Sequence, residues 1–303
     1  MKMPVVRFIV GLLLCFNACA KNADPGNLGA CSVNTKSVTQ SFAIDNKAGE
    51  AFGYHLNGGK GAVISAYSLK GGALRHLYGT ESDERLGHQG LAIQYIDGNR
   101  YFWSSLNKNE RPDSGSYAIR YRLDSNRIKG TELFRLFQDG RTGQSISPAV
   151  SYGDRYLIVK MSRKDGYEIR IFETSKLIQS GDFSKNYKYS FLVKKQFSSD
   201  SFLALQALAS DGEYVYVLFG SMVVGAENKI DVYRLDGGLT QSIDVSQGEG
   251  DARNFDSGRH YEPESLAWRE EGGRADLLLA IAMGDKGMRK CMLYKTGIHT
   301  SLH

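Results

Sequence analysis

Five residues that begin similar short segments are the first candidates for chemistry in this sequence. The segments read QSFAID, QGLAIQ, SPAVSY, QALASD and ESLAW, and they recur every 49 to 59 residues. Their first residues are Gln40, Gln89, Ser147, Gln206 and Glu264. Four of the five carry an amide or a carboxylate, which suits hydrogen bonds to a hydroxyl-rich or polar ligand. The alternative is that these side chains bond to neighbouring backbone and fill the interior.

Glu264 is also the one repeated residue that suits acid–base chemistry. His88 and His260 lie near the start of two of the segments, so either imidazole could pair with Glu264 in a carbohydrate-active or lactone-cleaving hydrolase. A glycosidase requires two carboxylates at a fixed separation, and the repeat indicates no second one. The sequence shows no zinc-type His/Cys spacing, no P-loop and no GxSxG segment, so we expect no metal and no cofactor. The favoured interpretation is therefore a binding protein, and the hydrolase is the alternative.

The segments that follow each of the five residues predict the fold. A tight turn rich in Asp, Asn and Gly comes first, and two or three further strand-like segments follow it. Five such units predict an all-β protein, a five-bladed β-propeller of mostly four-stranded antiparallel blades. Because the fifth unit ends after three strands, we expect residues 31–39 to supply its fourth strand and to close the ring.

This architecture places the five residues around one end of a central channel. The longer, more charged connections between blades, and between second and third strands, should emerge on the same face. Long loops on a rigid scaffold are common sites of function. Tyr261 is predicted to lie on such a loop, where its ring could contact a ligand.

The N-terminus has the three parts of an export signal. Residues 1–20 contain Lys2 and Arg7, then a short apolar stretch, then small residues around Cys19. Cys19 permits a lipoprotein signal as well, although free secretion is slightly favoured. We therefore expect an exported protein that is periplasmic, secreted or lipid-anchored, with a tether over 21–30 and a propeller over 31–298. In an oxidising compartment Cys31 and Cys291 are expected to form a disulfide, and two unpaired buried thiols are the alternative.

The composition narrows the range of partners. The chain has 303 residues, a formal net charge of +5 and 42% hydrophobic residues. These values exclude a disordered chain, and no basic block indicates binding to nucleic acid. We expect a monomer that contacts a membrane only through a lipid on Cys19.

Three segments together resemble one propeller family. They are Gln40-Ser-Phe-Ala-Ile-Asp, His88-Gln89-Gly-Leu-Ala-Ile and Glu262-Pro-Glu-Ser-Leu-Ala. They resemble the five-bladed domain shared by the receptor-binding protein of a staphylococcal podovirus, teichoic acid biosynthesis protein C and helveticin-type bacteriocins, over about residues 38–295. The resemblance implies binding at cell surfaces to envelope glycopolymers, with a bacteriocin-like role included, and implies no established catalytic set. This chain departs from the family by its own export signal and by the serine at the third position.

The sequence thus predicts a protein that binds a cell-surface glycan or protein through the face with the long loops. The predicted ligand-binding residues are Gln40, His88, Gln89, Gln206, Tyr261 and Glu264.

Overall fold

The computed structural model describes residues 27–30, 39–57, 61–70, 74–124, 126–139, 146–198, 201–223, 225–254, 261–284 and 289–301. Strands dominate these residues. In chain order they are β1 (Asn27–Ala30), β2 (Thr39–Asp45), β3 (Glu50–Leu56), β4 (Ala62–Ser68), β5 (Arg75–Gly79), β6 (Leu86–Ile96), β7 (Asn99–Leu106), β8 (Ser116–Asp124), β9 (Arg127–Phe137), β10 (Ile146–Val150), β11 (Tyr156–Ser162), β12 (Gly166–Glu173), β13 (Gly181–Asp182), β14 (Tyr189–Lys194), β15 (Gln196–Ser198), β16 (Ser201–Ser210), β17 (Tyr214–Gly220), β18 (Lys229–Arg234), β19 (Leu239–Asp244), β20 (Tyr261–Glu271), β21 (Arg274–Met283) and β22 (Lys290–Ser301).

Helices are few and short among the described residues. The α-helix α1 spans Glu249–Asn254, and two 3-10 helices span Lys108–Glu110 and Thr174–Lys176. No helix in the described ranges has the length and hydropathy needed to cross a bilayer. Helix α1 lies in the connection between β19 and β20, for which the sequence predicted a loop.

The strands form five antiparallel sheets, which are the five blades of a β-propeller, so the predicted fold is confirmed. Blade 1 is β2 to β5. Blade 2 is β6 to β9, with the two-residue β13 running parallel to β9. Blade 3 is β10, β11, β12 and β14, and blade 4 is β16 to β19, with β15 beside the start of β16. Blade 5 is β20, β21 and β22, with β1 as its outer strand.

The ring is closed by the N-terminal strand, but at an earlier position than the sequence indicated. Strand β1 pairs with β22 through residues 27–30, which lie in the predicted tether and not in the predicted 31–39 strand. The difference arises because four residues suffice to cover the exposed edge of β22 at Met292–Tyr294. Cys31 lies outside the described residues. Cys291 is buried on β22, and its pairing with Cys31 stays a prediction.

The hydrophobic core is divided into five parts, one between each pair of adjacent blades. This follows from the alternation of side chains along each strand, because a blade presents one set of apolar residues to each neighbour. Trp103 packs between blades 2 and 3 with Phe134, and Trp268 packs between blades 4 and 5 with Tyr216. Both indole rings therefore belong to the packing between blades.

Two ends of the propeller differ in their connections. The inner strands β2, β6, β10, β16 and β20 begin at one end, which we call the loop face, and finish at the other, which we call the hairpin face. Hairpin turns join first to second strands on the hairpin face; Asp97 and Gly98 adopt φ of 49° and 78° in one of them, as a two-residue hairpin requires.

Candidate functional site

The five repeated residues lie together at the loop-face end of the central channel, as the sequence predicts. Each belongs to an inner strand, and each inner strand contacts the inner strands of the two adjacent blades. Their side chains are buried or half-buried, and four of them take part in hydrogen bonds to residues of other blades. These four are Gln40, Gln89, Gln206 and Glu264. We refer to this group as the channel mouth.

The bonds run around the channel from blade to blade. Gln40 Nε2 of blade 1 approaches Glu264 Oε1 of blade 5 to 3.5 Å, and Gln206 Nε2 of blade 4 donates to Glu262 Oε1 at 3.1 Å. Glu262 lies two residues before Glu264 on β20. The alternative interpretation, that these side chains bond to neighbouring blades and fill the interior, is therefore partly correct. Their partners are mainly side chains and not backbone groups.

Lys160 is a channel-mouth residue that sequence reasoning missed. It lies on β11 directly across from Ser147, so the serine that departs from the repeat stands beside a long basic side chain. Lys160 Nζ donates to Gln89 Oε1 at 2.9 Å and to the backbone oxygen of Leu205. Burial lowers the pKa of Lys160 to about 8, and the nearby charge of Glu264 opposes this shift. A single lysine inside the apolar run of β11 was the available signal, because lysine is almost never fully buried without a partner.

The carboxyl groups of Glu264 and Glu262 lie close enough on β20 to interact with each other. Burial raises the pKa of Glu264 well above its usual range, and the charge and hydrogen bond of Glu262 raise it further. Arg289 and Lys160 are close enough to oppose the shift by their positive charges. Glu264 is only 2% exposed, so its carboxyl group is enclosed in this network.

His88 lies at the same site and remains exposed. Partial desolvation of the ring by its neighbours lowers the pKa of His88, the charge of Lys160 lowers it further, and the charge of Glu262 opposes the shift. Its imidazole makes no hydrogen bond to another described residue. The same holds for the Nε2 of the half-buried Gln89, whose Oε1 is occupied by Lys160. The channel mouth therefore keeps polar atoms that are available to a ligand.

One predicted site residue, Tyr261, is not available as proposed. Tyr261 was expected on a loop, but it is the first residue of β20 and is fully buried, with its hydroxyl donating to the backbone oxygen of Gln247 at 2.6 Å. The ring fills the core between blades 4 and 5 because strand β20 begins earlier than the sequence indicated. His260 lies outside the described residues.

The described residues bring two carboxyl groups, those of Glu262 and Glu264, to the channel mouth. Retaining and inverting enzymes hold their two carboxyl groups about 5 to 9 Å apart, with the scissile bond between them. Glu262 and Glu264 lie two residues apart on one strand, close enough for their carboxyl groups to interact, whereas a glycosidase places its two carboxyl groups on either side of a bound sugar. Across the described ranges, no three His, Cys, Asp or Glu side chains are grouped so that they could hold a metal ion.

Exposed apolar residues lie beside the channel mouth on blade 4. The hairpin of β15 and β16 extends beyond the loop face and carries Phe197 and Phe202, which are 66% and 45% exposed and have ring centroids 5.7 Å apart. Met222 and Val223, in the β17–β18 connection, are also more than half exposed. The contacting rings of Phe197 and Phe202 form an apolar patch on the face where the channel mouth opens.

This fold and this channel mouth define a five-bladed propeller with a polar site on its loop face. Residues 38–295 match the family described as the phage 5-bladed beta propeller receptor binding platform domain, and the chain belongs to that family. No curated protein sequence matches the chain.

Solved structures support the fold. The tail fiber of Staphylococcus aureus phage P68 is 17% identical, with a TM-score of 0.62 over 91% of this chain and 53% of that one. An exo-beta-1,3-galactanase from Clostridium thermocellum is 11% identical, with a TM-score of 0.54 over 86% of this chain and 64% of that one. Xyloglucan PUL GH43B of Bacteroides ovatus is 10% identical, with a TM-score of 0.53 over 89% and 55%. The chain thus spans between about half and two thirds of these proteins, and at such identities the likeness concerns the fold alone.

Proposed function

We propose that this protein binds a cell-surface glycan through its loop face, with the channel mouth as the centre of the contact. Membership of a receptor-binding family supports a binding function. The observation that carries the proposal is the set of hydrogen-bonding groups left over at the channel mouth, His88 and the Nε2 of Gln89. Sugar hydroxyls both donate and accept, so they match a site that presents an imidazole and amides in one place.

The apolar patch gives the contact a second component. Aromatic rings pack well against the C–H faces of sugars, and large exposed apolar side chains often mark interaction sites. Phe197 and Phe202 would extend the bound surface from the channel mouth across blade 4. The same patch would suit a surface protein, which is the other outcome that the binding experiment must distinguish.

Export and attachment at the cell envelope form part of the same proposal. A lipid on Cys19 would hold the propeller at the membrane surface. Labelling with a radioactive fatty acid, with Cys19→Ala as the control, separates lipid anchoring from free secretion.

The decisive experiment is binding of the purified mature chain to isolated envelope glycans and to protease-treated and untreated cell envelopes. Retention that survives protease treatment and falls at least fivefold in His88→Ala supports the glycan proposal. The matched control is His76→Ala, which removes another exposed histidine from the outer strand of blade 1. Retention abolished by protease indicates a protein receptor, and retention unchanged in His88→Ala and in Phe197→Ser places the contact elsewhere. Survival counts of target cells exposed to the same protein test the bacteriocin-like role.

The hydrolase alternative is not proposed as a second function, because no observation on the described residues favours it. Any hydrolysis of the retained glycan that disappears in Glu264→Gln, with folding preserved, would reverse this assignment.

A further inference from the structure

The central channel contains a second feature, away from the channel mouth. The inner strands β2, β6, β10 and β20 lie at the ends of their sheets, and β16 pairs on its inner side only at residues 201–203. The opposite edge of each inner strand therefore has no strand partner over most of its length. Some of its backbone groups bond instead to side chains of the adjacent blade, as the N–H and C=O of Phe42 do with Ser265 Oγ.

The channel is open in its hairpin-face half. A cavity of about 380 Å³ begins two to three residues after the channel-mouth residues and reaches the hairpin turns. It falls within the size range of small-molecule sites. All five inner strands contribute an alanine to its wall, and these small side chains leave the space unfilled. The alanines are Ala43, Ala92, Ala149, Ala209 and Ala267.

The rim of the cavity carries charged groups of both signs. Asp154 Oδ2 accepts a hydrogen bond from the backbone N–H of Tyr95 at 3.0 Å, and its other carboxylate oxygen has no partner among the described residues. Glu270 Oε1 accepts from the hydroxyl of Tyr152 at 2.9 Å, which also leaves its second oxygen without a described partner. The ammonium group of Lys47 lies 4.4 Å from the centre of the Tyr95 ring and makes no described ion pair.

We propose that this cavity binds a small uncharged polyol or a monosaccharide that enters from the hairpin face. Hydroxyl groups can accept from the ammonium group of Lys47, and can donate to the second carboxylate oxygens of Asp154 and Glu270. The alanine methyl groups would contact the C–H surface of the same ligand. A charged ligand would be repelled by the rim group that has the same sign of charge, because both signs are present there. The site lies at the other end of the channel from the loop face, so it does not depend on the function proposed above.

Saturation-transfer difference NMR on the mature chain tests this site with glucose, galactose, N-acetylglucosamine and glycerol as probes. At least one probe should bind saturably. Asp154→Asn, which keeps the size of the side chain and its acceptor for Tyr95, should weaken that binding about tenfold, as expected for a lost hydrogen bond to a charged group. Ala92→Leu, which fills part of the cavity, should abolish it, with circular dichroism confirming the fold.

Two control variants separate this site from its surroundings. Asp97→Asn makes the same substitution on the same face at a turn that does not line the cavity, and His88→Ala alters only the loop face. Both should bind the probe as the wild type does. The proposal is overturned if no probe binds, if Asp154→Asn and Ala92→Leu both bind normally, or if His88→Ala removes the binding.

Discussion

Acid destabilisation through one buried histidine is the sharpest prediction of this structure. His55 lies on β3 of blade 1 and is 1% exposed. Its Nδ1 is 3.2 Å from Thr39 Oγ1, and its Nε2 has no hydrogen-bond partner among the described residues. Burial lowers the pKa of His55 from 6.5 to about 4, and the charge of His76 adds to the shift. The folded protein therefore favours the neutral ring.

The sign and the size of the effect follow from linkage. The pKa of His55 in the folded state lies below its pKa in the unfolded chain. The free energy of unfolding is therefore unaffected by protonation of His55 above pH 6.5, and it decreases as the pH falls toward 4. The loss from this one group is about 2 kcal/mol at pH 5 and about 3 kcal/mol at pH 4. Such values are a large part of the stability of an ordinary domain.

The variant that isolates the effect is His55→Asn, because asparagine can still bond to Thr39 and does not titrate. Urea denaturation at pH 7, 6 and 5 gives the free energy of unfolding of both proteins. We expect His55→Asn to be less stable at pH 7 because of the smaller side chain, and the gap to narrow by about 2 kcal/mol at pH 5. His76→Asn is the control and should keep most of the wild-type slope. A gap that stays constant from pH 7 to pH 5 would refute the reasoning.

Three further predictions concern the packing and closure of the blades. Gly90 has a φ of +91°, and an added Cβ would lie 2.3 Å from Pro148 Cδ, so Gly90→Ala should lower the free energy of unfolding by about 3 kcal/mol. Gly98 also has a positive φ but open space around it, so Gly98→Ala should lower the same quantity by about 1 kcal/mol. Equal urea midpoints for the two variants would contradict the clash with Pro148. Arg120 is 3% exposed, pairs with Glu132 and donates to the backbone oxygens of Leu177 and Ile178. Arg120→Met should lower the free energy of unfolding by about 3 kcal/mol, and Arg120→Lys should restore little of that loss because lysine cannot make all three contacts. Full stability in the lysine variant would show instead that the positive charge alone suffices. Peptide mapping without reducing agent should recover Cys31 linked to Cys291. Reduction of this bond should lower the free energy of unfolding by up to about 5 kcal/mol. Two free thiols in the native protein would contradict the predicted closure.

The sequence was sufficient for the architecture because the repeat carries local signals. Apolar alternation, turn residues and a period near 58 residues define each blade without reference to its neighbours. The position of the closing strand was missed because residues 27–30, Asn-Leu-Gly-Ala, have little strand propensity of their own. They become a strand by covering the edge of β22, which is a tertiary effect.

The candidate site was only partly predictable for a related reason. The repeat located Gln40, Gln89, Gln206 and Glu264, since equivalent positions in a ring must converge on its axis. Lys160 comes from a second strand, and the repeat says nothing of a residue that occurs in one blade only. Its role depends on the contact of blade 3 with blades 2 and 4, through Gln89 and the Leu205 carbonyl.

The charged groups of the channel mouth are costly to the fold, and this bears on their purpose. Lowering the pKa of Lys160 from 10.5 to about 8 means that its charged form costs about 3 kcal/mol at neutral pH. The raised pKa of Glu264 also reflects a cost to stability, because burial disfavours its ionised form in the folded protein. Apolar side chains of similar volume would often be at least as stable at such a position. A purely structural plug would therefore not need this lysine and this carboxyl pair. The bond from Lys160 occupies Oε1 of Gln89 and orients the amide, which leaves Nε2 for a ligand. The buried charge thus positions the one amide that the proposed contact with a glycan would use.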